Sequence, residues 1–114
     1  MEYKELEIKV LEWAKEKGIL DKATALTQLG KTQEELDETR EALIMLEAAV
    51  DADKQIVRSC ALAEVEDGIG DMLVTIIILS KLVGVNPIHC LETAYNAIKY
   101  RTGKMENGVF VKDN

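Results

Sequence analysis

EVEDGIGDMLVTIIILSKLV, residues 64–83, decides how this chain folds. Between Met72 and Val83 the apolar residues Leu73, Val74, Ile76, Ile77, Ile78 and Leu79 go nearly all the way round a helix. A helix apolar on every side is predicted to be buried on every side. The run is too short to span a bilayer and is broken by Ser80 and Lys81. Just ahead of it stand Glu64, Asp67 and Asp71, whose spacings of three and four put them on one helical face. Carboxylates projecting where a helix enters a core are costly unless protons, basic partners or a metal neutralise them.

Upstream, between residues 22 and 50, Leu29, Leu36 and Leu43 recur every seven residues, with Leu26 and Leu46 adding to the stripe. This second helix carries KTQEELDE, whose Glu34, Glu35 and Glu38 form another one-sided cluster. Residues 2–17 set Leu6, Val10, Leu11 and Trp13 at helical spacing, and Gly18 is a C-terminal stop. Residues 51–53 read as a break, with Asp53 capping the third helix and Gly84 ending it. Asn86-Pro87 reads as a cap and first helical position for a fourth helix over residues 88–101. Beyond Thr102, GKMENGVFVKDN is a tail or a short hairpin-like extension around the turn signals Gly103 and Asn107-Gly108. The expected fold is all-α: a four-helix domain over residues 1–102 and a tail over 103–114. One such unit cannot cover the apolar third helix, so a homodimer or homotetramer is expected, with the second and third helices pairing across its interface.

A net charge of −7 argues against a broad grip on a nucleic-acid polymer. A small anionic ligand fits better, because a bound metal reverses the local field. Cys60 and Cys90 match neither a zinc spacing nor a disulfide framework and are expected to be buried thiols. MEYKELEIKV has no signal-like apolar stretch, so the expectation is a cytoplasmic protein with no membrane partner.

Antiparallel packing of the second and third helices would bring the two carboxylate clusters to one level. Such hard-oxygen sets suit Mg²⁺, with Mn²⁺ as the alternative, and phosphate oxygens as co-ligands. The competing reading of EELDETRE is a solvated face. Gly68 and Gly70 clear space either for a ligand or for close helix approach. Asn96, Lys99, Tyr100 and Arg101 suit phosphate contacts, or alternatively compensate a helix C-terminus. Trp13 is either a core residue or a stacking surface for a base.

With EELDE, WAKEKGIL, Gln28 and Lys31, LVGVNP and the basic fourth helix in view, the chain resembles the MazG-type all-α nucleoside triphosphate pyrophosphohydrolases over about residues 10–112. That family's EExxE half matches Glu34, Glu35 and Glu38. Its ExxD half departs here: Gly68 stands three before Asp71, while Glu64 and Asp67 form a literal ExxD. The resemblance implies Mg²⁺-dependent cleavage of a (d)NTP into (d)NMP and pyrophosphate. It makes Glu34, Glu35 and Glu38 catalytic, with Glu34 orienting water. Glu35, Glu38, Asp67 and Asp71 hold the metal with Glu64 close by, and Lys31, Asn96, Lys99, Tyr100 and Arg101 bind substrate. Two readings compete with this one: a non-catalytic helical dimer serving as an interaction module, and a nucleotide-binding relative without turnover.

Overall fold

The structure, a computed structural model, describes residues 1–51 and 54–114. Its elements are α1 (Tyr3–Glu16), α2 (Ile19–Lys22), α3 (Ala25–Asp51), α4 (Gln55–Val83), α5 (Pro87–Ile98), β1 (Gly103–Glu106) and β2 (Val109–Lys112). The chain is therefore mostly helical, as expected, with one extra helical turn, α2, that the sequence pattern did not announce.

Local chemistry explains the boundaries. Gly18 and Gly84 adopt left-handed backbone angles, φ 79° and 78°, where a side chain would be strained. α3 starts at Ala25, three residues after the expected Lys22, because Thr24 and Thr27 cap each other reciprocally. The Thr27 N–H donates to Thr24 Oγ1 at 3.1 Å, and the Thr24 N–H donates to Thr27 Oγ1 at 2.9 Å. Asn86 caps α5, its Oδ1 accepting from the Ile88 N–H at 2.8 Å, with Pro87 at the first helical position. The expected Asp53 cap lies outside the described residues. The C-terminal segment is a hairpin: Glu106 pairs with Val109 across Asn107-Gly108, both at positive φ, as a two-residue turn requires.

Two compact units result, Met1–Gly84 and Val85–Asn114. In the first, α3 and α4 lie antiparallel, since contacts run from Gln28 and Thr32 to Thr75 and from Thr39 to Gly68. α1 and α2 pack on α4. In the second, α5 exposes the apolar stripe Ile88, Leu91, Tyr95 and Ile98, and the β1–β2 hairpin follows it in the chain. Among the described residues no single helix is long and apolar enough to cross a membrane.

The α3–α4 seam is not built from the leucines. Buried positions spaced by seven line it, Gln28, Glu35, Ala42 and Ala49 on α3 and Ala61, Gly68 and Thr75 on α4, with Thr39 also buried against Gly68. Leu29, Leu36 and Leu43, one residue further on, are 52%, 42% and 43% exposed. Leu62, Ile69 and Ile76 are likewise exposed on α4, again one residue past a seam position, and exposed Val83 continues their seven-residue step. One residue is a rotation of about 100°. In antiparallel helices these rotations carry both stripes to the same side of the pair. Met72–Val83 is thus not buried all round within one chain, and Ile78 is its most enclosed side chain. Cys60 and Cys90 are exposed, contrary to expectation: Cys60 precedes the seam residue Ala61, and α5 is uncovered along its length.

The two helical glycines now separate. A Cβ at Gly68 would collide with the Thr39 hydroxyl, which donates to the Glu35 carbonyl at 2.7 Å; nothing lies within 4 Å of one at Gly70. Gly68 is there for close helix approach. Gly70→Ala should stabilise the protein by about 0.5–1 kcal/mol, whereas Gly68→Ala should cost about 1–3 kcal/mol. Thr39→Ala should recover much of that cost in the double variant. Equal effects of the two glycine substitutions in denaturant unfolding would refute this reading.

Candidate functional site

Glu35 owes its position to the seven-residue seam. It follows Gln28 by seven, so it faces α4 and is 8% exposed, while Glu34 and Glu38 flank it on the open sides of α3. From α4, Glu64, Asp67 and Asp71 project from one face over two turns. Glu38, Glu64, Asp67 and Asp71 line one cleft of about 200 Å³, floored by Thr39 and Gly68. All three α4 carboxylates thus face Glu38, and the two alternative pairs read from the sequence share one cleft.

Beside this cleft lies a larger cavity of about 590 Å³ between α1, α2, α3 and α4. Trp13, Lys17, Lys22, Gln28, Lys31 and Thr75 contribute to its lining, as do Glu35 and Asp71. Asp71 lines both spaces. Trp13 is 47% exposed, so it is not a core residue.

Charge is unevenly compensated here. Burial pushes the Glu35 carboxyl pKa up, Glu38 and Asp71 push it further the same way, and Lys31 opposes them. Lys31 itself is held above the usual lysine range by its hydrogen bond and charge interaction with Glu34, and by Glu35 and Glu38. Its Nζ lies 3.2 Å from Glu34 Oε2 and 3.7 Å from Glu35 Oε1. One ammonium therefore serves a run of three glutamates.

A carboxyl whose folded pKa lies above its unfolded value holds its proton more tightly when folded. Its penalty is absent below the unfolded pKa and grows as pH rises through the folded one. Without divalent metal, Glu35→Gln should therefore raise Tm by a few degrees at about pH 7.5 and change it little at about pH 4. A variant less stable than the parent at the higher pH would contradict this.

The structure brings together Glu35, Glu38, Glu64, Asp67 and Asp71, with Lys31 alongside. It leaves Glu34 out, exposed and lining neither space. Asn96, Lys99, Tyr100 and Arg101 belong to the second unit and are exposed; Lys99 Nζ stands 5.8 Å from the Tyr95 ring centre and 5.1 Å from that of Tyr100. Among the described residues no three acidic, histidine or cysteine side chains already converge as a metal site. The donor chemistry still suits a hard cation, because a buried glutamate crowded by two carboxylates gains from one nearby. Sequence reasoning gave no role to Lys17, Lys22 or Thr75. The available signal was a polar residue at each end of a seven-residue step, Gln28 to Glu35, where an apolar seam residue is the norm.

Comparison with known proteins identifies no relative: no family model, no curated protein and no solved structure matches the chain.

Proposed function

We propose that this protein is a divalent-metal-dependent nucleotide pyrophosphohydrolase, converting (d)NTPs to (d)NMP and pyrophosphate in control of the cytoplasmic nucleotide pool. The observation that carries this reading is Asp71, which lines both an acidic cleft and a cavity of a size that suits a small organic ligand. A nucleotide laid across Asp71 has its phosphates at the carboxylates and its nucleoside beside Trp13. The resemblance to MazG-type enzymes supports the same chemistry.

Glu35, Glu38, Asp67 and Asp71, with Glu64 adjoining, would hold the cation. Mg²⁺, or Mn²⁺ in its place, supplies charge neutralisation for the triphosphate when bound. Lys31 binds a phosphate oxygen in exchange for Glu34, its present partner. The released Glu34 then orients the attacking water and takes its proton. Lys99 and Arg101 of a neighbouring subunit neutralise phosphate charge, with Asn96 and Tyr100 beside them.

The active form is a homodimer or homotetramer. Leu29, Leu36 and Leu43 share one side of the α3–α4 pair with Leu62, Ile69, Ile76 and Val83. Two such pairs, face to face, complete a four-helix bundle. The same exposed stripes favour a second reading, a non-catalytic helical oligomer or nucleotide-binding module. Incubation with each dNTP and Mg²⁺, with pyrophosphate detection, tests the enzyme. Release from at least one nucleotide supports it. No release from any, together with a melting point unmoved by Mg²⁺ or Mn²⁺, leaves the structural module.

A further inference from the structure

The larger cavity changes sign along its length. Its acidic end carries Glu35 and Asp71, from α3 and α4. Seven residues away on each helix, about 10 Å at 1.5 Å per residue, Gln28 and Ile78 line the other end. Lys22 precedes the start of α3 by three residues, so it belongs to the Gln28 end. Lys17 follows Trp13 by four and stands one helical turn past the ring, on the face of α1 that lines the cavity.

In a chain of net charge −7 these two ammonium groups stand apart. Among the described residues neither is ion-paired, whereas Lys31 has two glutamates beside it. Compensation of helix ends does not account for them: Lys15 already serves the last turn of α1, and α2 is a single turn with little dipole. The floor at this end holds a buried polar anchor. Gln28, 6% exposed, gives one Nε2 N–H to the Thr75 carbonyl at 3.3 Å and keeps the second. Its Oε1 has no partner among the described residues, yet none of their buried side-chain oxygens goes unpaired, so this oxygen opens onto the cavity. With a donor and an acceptor both free, Gln28 holds a sugar hydroxyl or any base edge and chooses no base.

Resting on the nucleotide reading above, we propose that Lys17 and Lys22 form a subsite for a second phosphate, carried on the sugar of a nucleotide whose 5′-phosphates lie at the carboxylates. Trp13 then covers the nucleoside, Gln28 holds it from the floor, and the two lysines close on the anion at its far side. The nucleotides taken best are those phosphorylated at the 2′ or 3′ hydroxyl as well as at the 5′ position.

The test is calorimetric binding of adenosine 5′-monophosphate against adenosine 2′,5′- and 3′,5′-bisphosphate, and of the same cytidine set, to the full-length protein with Mg²⁺. Pyrophosphate release from the dNTPs is measured separately. In at least one set a bisphosphate should bind about tenfold tighter than the monophosphate or better, the gain expected of a charge-assisted hydrogen bond. The isomer that gains identifies the hydroxyl. Lys17→Met combined with Lys22→Met should bring that ratio below about threefold. Lys9→Met removes the same charge from an exposed site on α1 outside the cavity and should leave the ratio at its parental value. No gain from the second phosphate, no binding of any of these nucleotides, a ratio unchanged in the double variant, or one lowered as far by Lys9→Met would overturn the subsite. The gain without pyrophosphate release from any dNTP would retain the subsite and remove the pyrophosphohydrolase. Release without the gain would do the reverse.

Discussion

Asp71→Asn should lower pyrophosphate release by a factor on the order of 10² to 10³, the range for removing one preorganised electrostatic group from an active site. The size of the effect follows from its place on α4. Asp71 lies where the acidic cleft and the larger cavity meet, and it is one of the two carboxylates that press on Glu35. Replacing the carboxylate by an amide removes one proposed metal donor and one negative charge with little change of volume. The rise in melting temperature produced by Mg²⁺ should shrink in parallel, because it reflects cation binding by mass action. Asp37→Asn is the control. Asp37 accepts from Gln33 Nε2 at 3.0 Å on the exposed side of α3, so both readouts should stay at parental values. Parental turnover and a parental Mg²⁺ response in Asp71→Asn would remove the assigned site.

If the proposed oligomer forms, Leu36→Lys combined with Leu43→Lys should convert it to a monomer by light scattering. Both leucines are more than two-fifths exposed within one chain, so charges there cost the isolated fold little. Across a bundle made by two copies, four lysines would meet in the apolar stripe and lose their water. The parent's melting temperature should rise with protein concentration, and the variant's should not. A parent that is already monomeric, or a variant of unchanged mass, would sink the bundle.

Element positions were readable from the sequence because their punctuation is local: Gly18, Gly84 and Asn86-Pro87 act through their own backbone angles and caps. The carboxylate face was readable because three- and four-residue spacings hold on any helix. What was not readable is which stripe faces inward. Leu29, Leu36 and Leu43 outrank Gln28, Glu35 and Ala42 on any measure of hydrophobicity, yet the second set makes the seam. The two sets have the same period and differ only in phase, so periodicity alone does not choose between them. The cavity floor was hidden for another reason. The Gln28–Thr75 hydrogen bond joins α3 to α4 and exists only once the two helices are packed.

Two stripes of equal period, one residue apart, leave α3 open to being turned inside out. A single residue deleted between Lys31 and Glu34 would rotate the rest of the helix by about 100°. The next leucines would roll toward the seam, and Glu35 would roll toward water. Such a protein would gain apolar packing and lose its acidic pocket. A seven-residue deletion would keep the phase. Length changes in α3 are thus constrained modulo seven by chemistry, while stability alone would tolerate the errors that abolish it.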